Sequence, residues 1–413
     1  VFGWLQVQRN LEARLRGQLF EELKLQTAWQ RLQMPTLGRR KQVLAMIDEV
    51  IKARRMDGRP LMDATVRTLY AAAMAIPDFH EISKTEFRDN AFLRLRASLA
   101  PDGREMVIAT AAGPVRWELG KELPWTEDMR AAKPLPRLLH SPDGKYLAYA
   151  PAEGGLALLD AAVPKHAVKE MASLNVIVGM GFNPTGNGLW TVSVDGEVTR
   201  WSVPDLRLET SWMATECKGK VTAAAVSADA ADVALGDASG QTLLIPSAGG
   251  KAVPIPADGA LAVDAVAWSP DGRQVAVGTR DGTVRLANRR GKEVRKFDLL
   301  AYGVGNIVFS PDGKWLFAGH ANNVTRGWDT ITGEQVMEGN LVPWTFANAK
   351  DRWRFAGTYN GRVALAEIER PVATSYLRGH QVEIEKLVWS RNGTRLASLD
   401  RRGEIRVWDF RSE

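Results

Sequence analysis

Five histidines and one cysteine are the side chains in this 413-residue chain best suited to hold a metal or take part in nucleophilic and acid–base chemistry. They are His80, His140, His166, His320 and His380, all far apart in sequence, and Cys217. Metal binding and acid–base work need partners brought together at short range, and no sequence motif here supplies them. There is no phosphate loop, paired-cysteine motif, His-Glu-x-x-His or Gly-x-Ser-x-Gly. His140 and His320 stand at strand positions flanking turns, where packing or a backbone hydrogen bond accounts for them. Aspartates recur in the turns, but single carboxylates one repeat apart do not make a calcium shell, and a turn aspartate ordinarily bonds its own backbone. The expectation is therefore no metal site, no cofactor and no enzymatic activity.

Chemistry suited to recognition is easier to find. Trp125 and Trp344 fall in loop-like text and qualify as aromatic anchors for a partner or as cover packed under their own loops. Arg39, Arg40 and Lys41 form one basic group, and Arg54 and Arg55 another. Both could meet phosphates, anionic lipid heads or an acidic partner, or form a solvated helix face paired with Glu21, Glu22, Asp48 and Glu49. The first 60 residues hold 12 Lys and Arg against 6 Asp and Glu, whereas the remainder holds 42 of each, so the whole net charge of +6 lies in that segment.

The elements that must carry these groups divide at Pro77. Before it, Leu11, Leu15, Leu19 and Leu23 predict one apolar stripe along a long helix ended by Pro35. A second helix is expected from Arg39 to Arg55 with Val43, Leu44, Ile47, Val50 and Ile51 on one face, stopped by Asp57-Gly58 and Pro60. Met62, Val66, Leu69, Ala73 and Ile76 mark a third. Such a short helical segment makes a marginal core alone, so it should lean on something larger. No run of eighteen apolar residues occurs, yet the opening Val1-Phe2-Gly3-Trp4-Leu5 reads either as the clipped end of an anchoring segment or as a processing boundary.

After Pro77 the sequence repeats. Ala-Pro-Asp-Gly at 100–103 and Ser-Pro-Asp-Gly at 141–144, 269–272 and 310–313 are joined by looser copies at 183–186, 227–230, 348–351 and 390–393. The eight copies are 38 to 44 residues apart, the period of a repeat architecture. A second turn closes eleven residues later in seven copies and twelve in one, at Gly113, Gly155, Gly196, Gly240, Gly282, Asn323, Gly361 and Gly403. A short strand between two tight turns leaves no room for insertion, and Gly or Asn supplies the positive φ such hairpins use. The 14 Trp against 6 Tyr suit sheets packed face to face. Each unit thus reads as four short antiparallel strands.

With Asp281-Gly282-Thr283-Val284-Arg285-Leu286, Gly379-His380 and Arg406-Val407-Trp408-Asp409, these turns resemble WD40 repeats, over about four fifths of the chain and most strongly in the units around 269, 310 and 390. The resemblance implies a mainly β fold, an eight-bladed WD40-type propeller (seven-bladed as the alternative) over residues 78–413, with an N-terminal α-helical segment at 1–77. It also implies a structural hydrogen-bond set of a histidine before the first strand, Ser or Thr on the second, Trp on the third and Asp in the hairpin turn. His380, Ser398 and Trp408 match three of these, while Arg401 and Arg402 stand where an acid is usual. The last unit lacks a fourth strand, so residues 79–84 are expected to pair with 404–410 and close the ring.

The lead-in, Gln26-Thr27-Ala28-Trp29 through Gly38-Arg39-Arg40 and on to Ala75-Ile76-Pro77-Asp78-Phe79, resembles helices that precede WD40 propellers in large planctomycete-type bacterial membrane serine/threonine kinases. No kinase motif lies in this chain. The resemblance implies a bacterial, non-catalytic interaction or sensory domain, the C-terminal part of a membrane-anchored signalling protein. Protein partners are expected, with an anionic membrane surface reached through the N-terminal helices and no nucleic acid. An extracytoplasmic propeller is favoured over a cytoplasmic one. A scaffold subunit of a membrane-associated assembly and a propeller enzyme of lactonase or hydrolase type are the alternatives.

Overall fold

The computed structural model describes residues 2–34, 36, 38–57, 59, 61–62, 64–74, 78–85, 97–102, 104–110, 113–118, 137–164, 167–171, 174–256, 261–297, 303–320, 324–339, 342–349, 352–359, 362–369, 384–389, 395–400 and 405–409. They fall into two compact units, 1–370 and 371–413.

Three helices lead the first unit: α1 (Phe2–Gln33), α2 (Arg39–Met56) and α3 (Ala64–Met74). Their shared core is Ala28, Leu32, Val43, Ile47, Val50, Val66, Leu69 and Ala73, so the periodicity located the faces of α2 and α3. The stripe on α1 is different, because Leu15, Leu19 and Leu23 are more than half exposed. At about 100° per residue, Leu15, Leu19 and Leu23 lie roughly 140–180° around the helix from the buried Ala28, on its outward side. The face turned inward instead carries Glu21, Ala28 and Leu32.

Sheets built from consecutive antiparallel strands follow at 137–171, 177–213, 221–255, 263–297 and 304–339. Their Ser-Pro-Asp-Gly turns share one construction. In the turn at 141–144, Ser141 Oγ donates to Asp143 Oδ1 at 2.6 Å and accepts from Tyr146 N at 3.0 Å, while Gly144 N donates to Ser141 O at 2.9 Å. The looser copy at 227–230 keeps these bonds, with Ala230 held at φ 55° in the left-handed region. First strands of neighbouring sheets lie side by side about the ring axis, as Ile177–Phe182, Val221–Val226, Val263–Trp268 and Val304–Phe309 show. Burial peaks in the second strand and falls outward. Every residue of the second strand Gly188–Ser193 is buried, whereas the fourth strand Leu208–Met213 is almost wholly exposed. Second strands are therefore near-continuous apolar text, and fourth strands carry the charge, as in Glu293–Phe297.

A sixth four-stranded sheet is composite. Val342–Ala349, Arg352–Tyr359 and Arg362–Glu369 provide three strands, and Asp78–Thr85 pairs antiparallel with the last of them, Asp78 opposite Glu369 and Thr85 opposite Val363. This overturns the expected pairing of 79–84 with 404–410. The chain reaches Pro371 just after Glu369, and proline cannot donate to a ladder. The outer edge of the sheet is thus open to the strand that follows the helices, against which α2 also packs.

Among the described residues six full blades are formed, which corrects the expected eight and its alternative of seven. The turn pairs number units, not complete sheets. Among the described residues, the first unit forms a three-stranded sheet of Ala97–Leu99, Glu105–Thr110 and Gly113–Glu118, and the last forms another of Ile384–Trp389, Arg395–Asp400 and Ile405–Asp409. The former lies between the blades at 342–369 and 137–171, with Ala97–Leu99 packed against Val342–Ala349 and Arg137–His140. The latter belongs to the second unit.

Candidate binding surfaces

The structure locates the residues singled out from sequence unevenly. Trp125 and His380 lie outside the described residues. Trp344 stands on the strand Val342–Ala349, where the register shifts between Pro343 and Thr345, so its segment is a strand edge and not the loop its Asn-Leu-Val-Pro lead suggested. Ser398 and Trp408 occupy adjacent strands, Leu396 opposite Trp408 and Ser398 opposite Arg406.

That register has a fully described counterpart in the blade at 177–213. There Leu189 faces Trp201 and Thr191 faces Thr199, and Trp201 donates its indole N–H to Thr191 Oγ1 at 2.9 Å, both residues buried. Asp195 in the hairpin accepts from Asn175 Nδ2 at 3.1 Å. Asn175 precedes the first strand, as the histidine of the repeat pattern does, but stands 16 residues before Thr191, where His380 stands 18 before Ser398. With no histidine before its first strand, the Trp–Thr pair of this unit was not assigned from sequence, although the turn at 183–186 marked the unit and the ten-residue offset from Thr191 to Trp201 repeats that from Ser398 to Trp408.

On α2 the basic groups part company. Arg39, Arg40 and Arg54 are buried, while Lys41 and Arg55 are exposed. Arg54 forms a buried ion pair with Glu21, which Arg59 joins at 2.9 Å. Arg39 ties the helices to the blade at 304–339: its Nη2 donates to Val336 O at 3.2 Å and its Nη1 to Leu32 O and Met34 O, both at 3.4 Å. Thr36 adds a parallel bridge to Glu338. The propeller is the support that the short helical segment called for.

His140, 9% exposed, joins the first sheet to the next blade: Ser98 Oγ lies 2.8 Å from its Nδ1 and accepts from its backbone N–H at 3.1 Å. Burial pushes its pKa down to about 4 against the weaker pull of Glu105 and Asp102, so it is neutral at pH 7. Burial, helped by Asp237 and Glu216, lifts the Cys217 thiol to about 11, which leaves it protonated and a poor nucleophile. Among the described residues no three His, Cys, Asp or Glu side chains converge on a metal position, and no described helix is long and apolar enough to cross a membrane.

A cleft of about 490 Å³ lies between the hairpin at Gly113 and Pro114 and the blade at 137–171. Its wall is a row across three strands, Tyr149 opposite Ala157 and Ala157 opposite Glu170, and Pro151, Leu156, Pro164 and Met171 extend it. Beneath lies the apolar contact of Val107 with Leu147, Ala157 and Leu159. Gly113 has no side chain to fill the gap, and a Cβ added there would meet nothing within 4 Å. Burial and the charge of Glu153 raise the Tyr149 pKa, keeping the phenol protonated.

Repeated four-stranded blades around an axis, Ser-Pro-Asp-Gly turns and a Trp–Thr pair define a β-propeller with WD40 repeats. The WD domain, G-beta repeat family matches residues 257–288, 293–329 and 370–409, the three units that sequence reading found strongest. The chain is similar to the guanine nucleotide-binding protein subunit beta of Arabidopsis thaliana, 39% identical over 82 residues, or 18% of this chain and 22% of that protein. It is similar to the SIR4-interacting protein SIF2 of Saccharomyces cerevisiae, 23% identical over 168 residues, or 35% and 31%. A 56-residue stretch is 45% identical to tricorn protease homolog 1 of Streptomyces coelicolor, 13% of this chain and 5% of that protein. The chain therefore spans about a fifth to a third of the first two relatives.

Proposed function

We infer that this chain is a non-catalytic protein-interaction or sensory propeller, working as the C-terminal part of a larger membrane-anchored bacterial signalling protein with its propeller outside the cytoplasm. The observation that carries the interaction reading is the set of WD40 segments at 257–288, 293–329 and 370–409, on a scaffold similar to a G-protein β subunit and to a protein named for its interaction with another. A ring of blades presents loops and strand edges on a rigid frame, which suits holding partners. The lead-in around Trp29 and Gly38-Arg39-Arg40 supports the membrane context. Contact with anionic lipid would fall to Lys41 and Arg55, which α2 leaves exposed.

Cross-linking the intact protein in its native membranes, followed by mass spectrometry, tests the reading. A stoichiometric protein partner cross-linked to propeller residues is the expected result. Recovery of free monomer alone overturns it. Salt-sensitive binding to phosphatidylserine vesicles, lost in the Lys41→Glu/Arg55→Glu double variant, tests the lipid contact.

A further inference from the structure

We propose that the cleft beside Gly113 and Pro114 is a docking site for an extended segment of a protein partner, an aliphatic residue next to a lysine or arginine. This rests on the interaction reading and names the chemistry of what is bound.

Shape and charge argue for it together. The cleft volume of about 490 Å³ is within the range of sites that enclose a few side chains. The walls supplied by Pro114, Pro151, Leu156, Pro164 and Met171 are apolar, and the prolines offer no backbone N–H to a ligand. Among the described residues the sheet at 97–118 has three strands, whereas its neighbour has four, and Glu170 and Met171 lie on that fourth strand, Ala167–Met171.

The charges are one-sided. Glu170 lines the cleft and Glu153 acts on Tyr149 within it, and among the described residues neither makes an ion pair. Arg116, on the strand Gly113–Glu118, is already engaged: its Nε donates to Glu105 Oε2 at 2.7 Å and its Nη1 to Ala162 O at 3.0 Å. Lys169 is opposite Leu158, so it projects from the other face of the sheet from Glu170. An apolar floor with one rim carboxylate, Glu170, that has no counter-ion among the described residues favours a long aliphatic stem ending in a cation, the stem on proline and leucine and the head at Glu170. A carboxylate or phosphate ligand would be repelled, and a neutral aliphatic one would leave Glu170 unpaired.

The test uses the full chain with ¹³C-methyl methionine labels and the capped dipeptide acetyl-leucyl-lysine amide as probe. The Met171 signal is identified by its loss in Met171→Leu. The expected result is a saturable shift of that signal, about tenfold weaker binding for the norleucine analogue, which lacks the charge, and a similar loss in Glu170→Gln. Glu170 is exposed, so its substitution leaves folding intact. No shift with the lysine probe, or equal binding of the lysine and norleucine probes, overturns the proposal. Cross-linking separates this from the broader reading. A partner that binds the wild type and Glu170→Lys equally removes the cleft's role and leaves the interaction function standing, whereas a saturable cleft with no cross-linked partner removes the interaction function.

Discussion

Trp201 and Thr191 are joined inside one blade by a 2.9 Å hydrogen bond from the indole N–H to the threonine hydroxyl, with both side chains closed off from water. Replacing Thr191 by valine keeps the volume and removes the acceptor, leaving a buried N–H unsatisfied. The expected loss is about 1–3 kcal/mol in urea unfolding. Thr191→Val and Trp201→Phe should be less than additive, by about 1 kcal/mol, because both remove one bond. Strict additivity would show that the bond contributes nothing.

His140 should make the protein acid-sensitive. Its folded pKa of about 4 is below the ordinary 6.5, so the native state resists a proton that the unfolded chain accepts. Above pH 7 both states are neutral and the histidine has no pH effect. As pH falls from 6.5 to 4 stability is lost, by about 3 kcal/mol at most from this group. Unfolding midpoints from pH 7.5 to pH 4 should fall more steeply for the wild type than for His140→Gln, and parallel curves would refute the assignment.

Breaking the Glu21–Arg54 pair from one side should be worse than removing it whole. Arg54→Met strands a carboxylate that is 9% exposed, although Arg59 retains one contact with it, and is expected to cost about 3 kcal/mol. Adding Glu21→Leu should recover most of that loss. Thermal unfolding of the two variants decides it.

Arg39→Ala should loosen the helices from the blade without unfolding either. The bonds to Leu32, Met34 and Val336 disappear together. Limited proteolysis is expected to cut several-fold faster between 32 and 39, with urea unfolding of the blades unchanged.

Gly278 and Gly305 should answer differently to alanine. A Cβ at Gly278 would come within 2.5 Å of Val304 Cγ1 in the next blade, and one at Gly305 no nearer than 3.7 Å to Gly319 O. Overpacking at Gly278 should cost about 1–3 kcal/mol, and Gly305→Ala should be close to neutral. Equal effects would contradict the close approach of Gly278 to the first strand of the next blade.

Much of this was readable along the chain. The turns at 141–144, 269–272 and 310–313, the positive φ of Gly155, Gly196, Gly240 and Gly282, and the helices around Val43–Ile47 and Val66–Ala73 depend on a few neighbouring residues. Short-range geometry leaves a local signature, so the sequence by itself determined the repeat, its period and the WD40 character of three units. Which edges would be joined left no such signature. Backbone hydrogen bonds are the same for every strand, so nothing in Phe79–Lys84 announces Arg362–Glu369 as its partner. The fate of the basic residues was equally hidden, because Arg39 and Arg54 look like Lys41 and Arg55 until Val336 and Glu21 are brought against them. The count of full blades, the latch between helices and ring, and the cleft at Gly113 were decided by tertiary structure alone, since each depends on an edge, a charge or a gap meeting its complement far away in sequence.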